Sequence, residues 1–152
     1  MKRIGIIGGS GLYDMDGVTD VNEVALTTPF GDPSDAVRTA MLDNTPVAFL
    51  PRHGRGHLYS PSEINYRADI WALKELGVDF VLSVSAVGSM REEIVPGHLV
   101  FANQFIDRTK GIRAHTFFGD GCVVHVGFGD PICPTLIDRL AQAADSADVR
   151  TT

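Results

Sequence analysis

Apolar positions recur along this chain with two different periods, and the changes of period mark out its elements. Ile4, Ile6 and Ile7 form a short apolar run that ends in Gly8 and Gly9, the pattern of a buried first strand. Three strand-like segments follow, Val21 to Leu26, Ala36 to Leu42 and Val47 to Leu50, with Asp43-Asn44 as a turn between the last two. Then the spacing becomes helical. Ile64, Ala68, Trp71, Ala72 and Leu76 share one face, and Gly77 supplies a stop. Ahead of them Ser60-Pro61-Ser62-Glu63 has the form of a capping box, with Ser60 as N-cap, Pro61 at N1 and Glu63 at N3. Phe80 to Val84 is apolar throughout, which predicts a strand in the middle of a covered sheet.

The pattern weakens after that strand. Gly97 to Ala102 and Phe105-Ile106 read as further strands, and the polar, glycine-containing residues 107–121 as a mobile loop. Leu136, Ile137, Leu140, Ala141 and Ala144 predict a last amphipathic helix that fades at Asp145 to Asp148. Strands mixed with helices give an α/β class with a largely buried central sheet. With no repeat, linker or low-complexity segment, residues 1–152 read as a single domain.

Composition narrows the function. The chain is 44% hydrophobic and 21% charged, a soluble globular balance that can bury a core without disulfides or metals. Its net charge is −6 and no basic run exceeds two residues, which argues against a nucleic-acid partner. Cys122 and Cys133 have no CxxC spacing, so zinc is not indicated and free thiols in a reducing compartment are the expectation. The N-terminal apolar run is too brief for a signal sequence, and no stretch approaches a membrane span. Together these point to a cytoplasmic protein.

Three segments carry candidate chemistry, and each follows a predicted strand: Gly8 to Leu12, Arg52 to His57, and Ser85 to Ser89. Ligands of open α/β sheets bind beyond the carboxyl ends of strands, so the three could share one crevice. The first offers backbone N–H groups and the Ser10 hydroxyl to an anion. A tight turn that needs glycine explains it equally well, and Asp14 stands where a dinucleotide fingerprint requires its third glycine. The second, Arg52-His53-Gly54-Arg55-Gly56-His57, is the densest cationic stretch. Arginine forks match phosphate oxygens, which favours an anion site over a solvated basic loop. His53 and His57 lack a nearby carboxylate or thiolate to complete a metal site. The third segment alone reads as a turn. As a set the three are stronger, because a phosphate needs donors from several directions. A serine nucleophile is not indicated, since Gly88-Ser89-Met90 lacks the flanks of a GxSxG elbow. Of the other histidines, His98 reads as structural within a strand, His115 as solvent-facing, and His125 within Val123 to Val126 as a core or interface residue.

Six stretches resemble the methylthioadenosine phosphorylase branch of the purine nucleoside phosphorylases. They are GIIGGSGL at 5–12, PFGDPSD at 29–35, RHGRGH at 52–57, NYRADIWALKELGV at 65–78, SAVGSMREEIVPG at 85–97 and QFIDRT at 104–109. The resemblance runs in order from Ile4 to about Ala144. It implies the nucleoside phosphorylase fold, a central mixed sheet flanked by helices, cut after about half, with the C-terminal half absent. It implies phosphorolysis of a purine nucleoside, 5′-methylthioadenosine or methylthioinosine, to free purine and 5-methylthioribose 1-phosphate, a purine-salvage reaction. Inorganic phosphate is the co-substrate, and no metal or organic cofactor is expected. Phosphate would be held by Ser10, Arg52, His53, Ser85 and the backbone N–H of Ala86. Ala86, Val87 and Gly88 would border purine and ribose, and His125 would be lent to a neighbouring subunit's ribose pocket in a homotrimer. The residues that protonate the purine fall beyond this chain in the resemblance, so no catalytic residue is assigned within it. The alternatives are a non-catalytic phosphate-binding remnant, or one half of a split phosphorylase.

Overall fold

The computed structural model describes residues 1–9, 12 and 15–152. Two compact units divide the chain: Met1–Ala86 with Lys110–Phe117, and Val87–Thr109 with Phe118–Thr152.

The first unit is built on a five-stranded mixed sheet. Its strands are β1 (Arg3–Gly8), β2 (Val18–Val24), β3 (Val37–Leu42), β4 (Thr45–Pro51) and β5 (Val78–Ser83), in the order β2-β3-β4-β1-β5. β1 runs parallel to both β4 and β5, whereas β2-β3 and β3-β4 are antiparallel. Asp43 and Asn44 both take positive φ, 43° and 63°, the two-residue turn that matches the twist of a β3-β4 hairpin. β2 begins three residues earlier than the apolar pattern indicates. A register shift lies between Thr19 and Asn22, around Asp20 at φ 52°, and this bulge carries the pairing on to Val18 and Leu42.

Alternation along β4 explains why it forms the centre of the core. Ala48 and Leu50 join Ile7, Val37, Ala72 and Leu73 in one cluster, while Val47 and Phe49 join Ala40 in another. Successive side chains of a strand leave on opposite faces, so β4 is buried on both.

That finding corrects the expectation for residues 80–84. The apolar run there is a strand, but it is the sheet's edge: Phe80 and Val81 are 43% and 40% exposed. Continuous apolarity signals that two faces can be buried, but not which strand has neighbours to bury them. Among the described residues, β5 is hydrogen-bonded to β1 alone.

Helix α1 (Tyr66–Glu75) places Ala68, Asp69, Ala72 and Leu73 on its buried face. It starts later than the Ser60–Glu63 capping box predicts. Half of that box forms, with Ser60 N–H donating to Glu63 Oε2 at 2.9 Å, while Glu63 N–H donates to the Ser60 backbone carbonyl at 3.0 Å and not to its hydroxyl. These two bonds close a separate turn, however, and the N-cap is Asn65, whose side-chain oxygen accepts from Ala68 N–H at 3.2 Å. Asn65 wins because its amide nitrogen also donates to Phe30 O at 2.7 Å, joining the cap to tertiary structure. Asn65→Ala should therefore cost about 2 kcal/mol in urea unfolding, more than a cap alone. A loss under about 0.5 kcal/mol would show that the Phe30 bond adds nothing. At the other end Gly77 takes φ +72° and its N–H donates to Lys74 O, the left-handed stop that the sequence predicts.

The second unit carries helix α2 (Pro134–Ser146), close to its expected position. The strands expected at 97–102 and 105–106 do not form. Leu99 makes a single parallel bridge to Thr151, and Leu99 N–H and Phe101 N–H donate to Arg150 O and Thr152 O. Strand-forming residues become strands only where a partner backbone satisfies them, and among the described residues this one bridge is the ladder pairing that 97–102 makes. No helix among the described residues is long and apolar enough to cross a membrane.

Candidate functional site

The strand order β4-β1-β5 sets the carboxyl ends of three parallel neighbours side by side. The chain leaves them at Gly9, Arg52 and Val84, within one residue of the starts of the three segments singled out in the sequence, Gly8, Arg52 and Ser85. Backbone bonds hold the exits in register: Arg52 N–H donates to Gly8 O at 3.4 Å, and Val84 N–H to Ile7 O at 2.8 Å.

Side chains draw two of these segments together. Arg52 Nη1 donates to Val84 O at 2.9 Å, which fixes the guanidinium beside Ser85 and Ala86. That bond uses one of the five N–H donors of the group. Ser85 and Ala86 are exposed, so a hydroxyl and a backbone N–H stand next to an oriented arginine fork. The array suits an oxyanion with several acceptor atoms.

His53 is oriented from within its own loop. Its Nδ1 lies 2.8 Å from Tyr59 O, and Tyr59 N–H donates back to His53 O at 3.1 Å. A carbonyl only accepts, so Nδ1 carries the proton. In the neutral ring Nε2 is then an acceptor, able to take the O–H of hydrogen phosphate. The His57 ring stacks on that of His53 with centroids 5.6 Å apart.

Arg55, grouped with the anion donors by charge density, does something else. Its guanidinium bridges Asp35 and Glu23, with Nη1 to Glu23 Oε1 at 2.7 Å and Nη2 to Asp35 Oδ1 at 3.0 Å. The Arg55 guanidinium in turn holds the Asp35 carboxyl below the usual aspartate range. Behind Asp35, Ser34 N–H and Oγ both donate to the buried carboxylate of Asp69, at 2.7 and 2.9 Å. Burial pushes the Asp69 carboxyl up, and the Ser34 bonds oppose that shift.

The remaining expected residues stand elsewhere. Ser10 lies outside the described residues. Val87, Gly88 and His125 belong to the second unit. His125 is exposed on an irregular segment, so it is not a core residue of that unit. His98 is likewise not in a strand. Among the described residues no three His, Cys, Asp or Glu side chains gather to hold a metal.

Sequence reading missed Asp35 and Asp69. The available signal was a carboxylate on the apolar face of α1, between Ala68 and Ala72, where a charge is seldom placed without partners.

The chain is similar to known proteins over nearly all its length. A family model described as the phosphorylase superfamily matches residues 3–152. An S-methyl-5′-thioadenosine phosphorylase of Geobacter sulfurreducens is 58% identical over 144 residues, which is 95% of this chain and 50% of that protein. One from Thermosynechococcus vestitus is 57% identical over 93% of the chain and 48% of its own length. Among solved structures, a methylthioadenosine phosphorylase from an antarctic soil metagenomic library superposes with a TM-score of 0.92 at 52% identity. It is matched over 97% of this chain and 51% of that one. The methylthioadenosine phosphorylase of Schistosoma mansoni in complex with adenine gives 0.88 at 43% identity, over 97% and 55%. The chain spans about half the length of the curated relatives it matches.

Proposed function

The chain belongs to the phosphorylase superfamily, and from that membership we propose that it supplies the phosphate-holding half of a purine nucleoside phosphorylase. The proposed substrate is 5′-methylthioadenosine or methylthioinosine, cleaved by inorganic phosphate to free purine and 5-methylthioribose 1-phosphate. The observation that carries this reading is Arg52 anchored at 2.9 Å to Val84 O, at the joint carboxyl ends of β4, β1 and β5.

Phosphorolysis needs a dianion held in line with the bond that breaks. As the C–N bond lengthens, positive charge develops on the sugar, and the anion both stabilises that charge and attacks the anomeric carbon. A guanidinium fixed before phosphate arrives does this without reorganisation, the usual source of electrostatic catalysis. In this reading Ser10, Arg52, His53, Ser85 and the Ala86 N–H bind phosphate. Ala86, Val87 and Gly88 border the nucleoside, and His125 serves a neighbouring subunit of a homotrimer. The reaction takes place in the cytoplasm, with no metal or organic cofactor.

A second reading, one half of a split phosphorylase, is favoured by the exposed edge strand β5. Such an edge is a template for pairing with another strand. One experiment separates the two. Phosphate-dependent purine release from the 152-residue chain is measured with methylthioadenosine, methylthioinosine and inosine, next to phosphate binding and an Arg52→Ala variant. Release from either methylthio substrate that disappears in the variant supports the phosphorylase reading. Phosphate binding that depends on Arg52, without release, supports the split one. A folded chain that ignores phosphate overturns both.

A further inference from the structure

We propose that Asp35, with Arg55 and the buried Asp69, is a brace that sets the position of Arg52 and His53, so that two carboxylates tighten the binding of an anion they never touch. The proposal rests on the reading of Arg52 and His53 as phosphate ligands.

The brace has two anchored ends. At the inner end the Asp69 carboxylate, 2% exposed, takes both polar groups of Ser34. This fixes the chain just before Asp35 to the middle of α1. At the outer end Asp35 accepts from Arg55 N–H at 2.8 Å as well as from the Arg55 side chain, so backbone and guanidinium are gripped together. Glu23 on β2 takes the other half of the fork at 2.7 and 3.1 Å. Exposed single ion pairs contribute little, but a forked pair closed by a backbone bond fixes geometry.

Between the two ends lies Gly54, with φ +69°. A Cβ there would stand 3.0 Å from Ser34 O, so the loop and the Ser34 segment are already at closest approach. Gly54 N–H is bonded to Pro51 O at 2.8 Å. The loop is thus gripped at residues 51, 54 and 55, and Arg52 and His53 are the two residues held between. Their directions follow from those grips, because two residues between fixed points have few backbone alternatives.

The consequence runs against simple electrostatics. Removing a carboxylate near an anion site should strengthen anion binding, since like charge is withdrawn. Removing a brace should weaken it, because a displacement of about 1 Å at a positioning residue costs up to about a hundredfold. The two accounts give opposite signs for one substitution.

The test uses Asp35→Asn in the full 152-residue chain, with inorganic phosphate as the probe and binding followed by calorimetry. Asp79→Asn is the control, since it deletes the same charge from the Lys2–Asp79 surface pair. The brace predicts that Asp35→Asn weakens phosphate binding by roughly tenfold, while Asp79→Asn leaves it within about twofold. Amide exchange in the phosphate-free chain provides a second reading. His57 and Tyr59 N–H, bonded to Gly54 O and His53 O, should exchange about tenfold faster in Asp35→Asn. Tighter or unchanged phosphate binding in Asp35→Asn overturns the proposal, as does unaltered exchange. If the unsubstituted chain binds no phosphate through Arg52, the underlying ligand reading fails and the proposal falls with it, whatever the exchange shows. Should Asp35→Asn fail to fold, Arg55→Gln takes its place. It must then accelerate the same two amides and weaken phosphate binding more than Lys2→Gln does, or the brace is wrong.

Discussion

Leu50→Ala should lower the unfolding free energy by about 3 kcal/mol, within the range of about 2–5 for a buried leucine. Leu50 is 0% exposed and packs in one cluster with Ile7, Val37, Ala48, Ala72 and Leu73. Those neighbours come from three strands and a helix whose positions hydrogen bonds already fix, so they can collapse only partly into the space. Domains of this size are stable by about 5–15 kcal/mol, so the loss is a large share of the total. The measurement is urea unfolding, with a lower midpoint at an unchanged slope. Val81→Ala is the comparison, because Val81 is 40% exposed on the edge strand and should lose under about 0.5 kcal/mol. Equal losses at the two positions would mean that the β4 cluster is not the core. Position adds a functional side to this result. Leu50 stands two residues before Arg52, so the cluster that stabilises the sheet is also the footing of the candidate phosphate loop.

Where periodicity reports burial directly, the fold was legible in the sequence. β1, β3, β4, α2 and the body of α1 were expected close to where they stand, since Ile4 to Ile7, Val47 to Leu50 and the face through Ala68 and Ala72 carry their own pattern. Partner-dependent features were not legible. Phe80 to Val84 has the composition of a central strand, and only the sheet order shows that it lies on an edge. Residues 97–102 have strand-forming side chains, yet among the described residues the one bridge from Leu99 to Thr151 is the ladder pairing they make. The helix start was misplaced for a related reason. Ser60 to Glu63 matches a local sequence rule, but Asn65 caps the helix with its side chain and bonds Phe30 as well.

The candidate site divides in the same way. Arg52, His53 and Ser85 could be found because glycines and cations after predicted strands point to the carboxyl edge of a sheet. What holds them could not. Arg55 has the same residue type as Arg52 and sits three positions away, and nothing local distinguishes the arginine bonded to a backbone carbonyl from the one clamped between carboxylates. The distinction comes from Asp35 and Glu23, 20 and 32 residues distant.

Asp69→Ala should cost about 3 kcal/mol, and the pH dependence of a gentler substitution should reveal why. Alanine would leave the N–H and hydroxyl of Ser34, a residue only 8% exposed, without acceptors. Stranded buried donors of this kind carry about 1–3 kcal/mol each. Asp69→Asn keeps the shape, with its oxygen accepting one bond and its amide donating to Ser34 Oγ, and should cost about 1 kcal/mol at neutral pH. Burial lifts the Asp69 carboxyl above the ordinary aspartate value of 3.8, so between 3.8 and its native value the folded chain holds a proton that the unfolded chain has released. The stabilisation that follows is complete below 3.8 and is lost as pH rises through the native value. Asparagine cannot take up that proton, and the cost of Asp69→Asn should therefore grow as pH is lowered from 7 towards 4. Asp35 titrates in the opposite sense, because Arg55 holds it below 3.8. Its contribution is present above 3.8 and fades as pH falls through the depressed value, so the cost of Asp35→Asn should shrink in acid. Urea unfolding checks the pair of signs, between pH 4 and 7 for Asp69→Asn and from pH 7 down through and below 3.8 for Asp35→Asn. A cost for Asp69→Asn that shrinks towards pH 4 would mean that the Ser34 bonds outweigh burial, making Asp69 a stabilising carboxylate rather than a buried charge tolerated for the geometry it imposes.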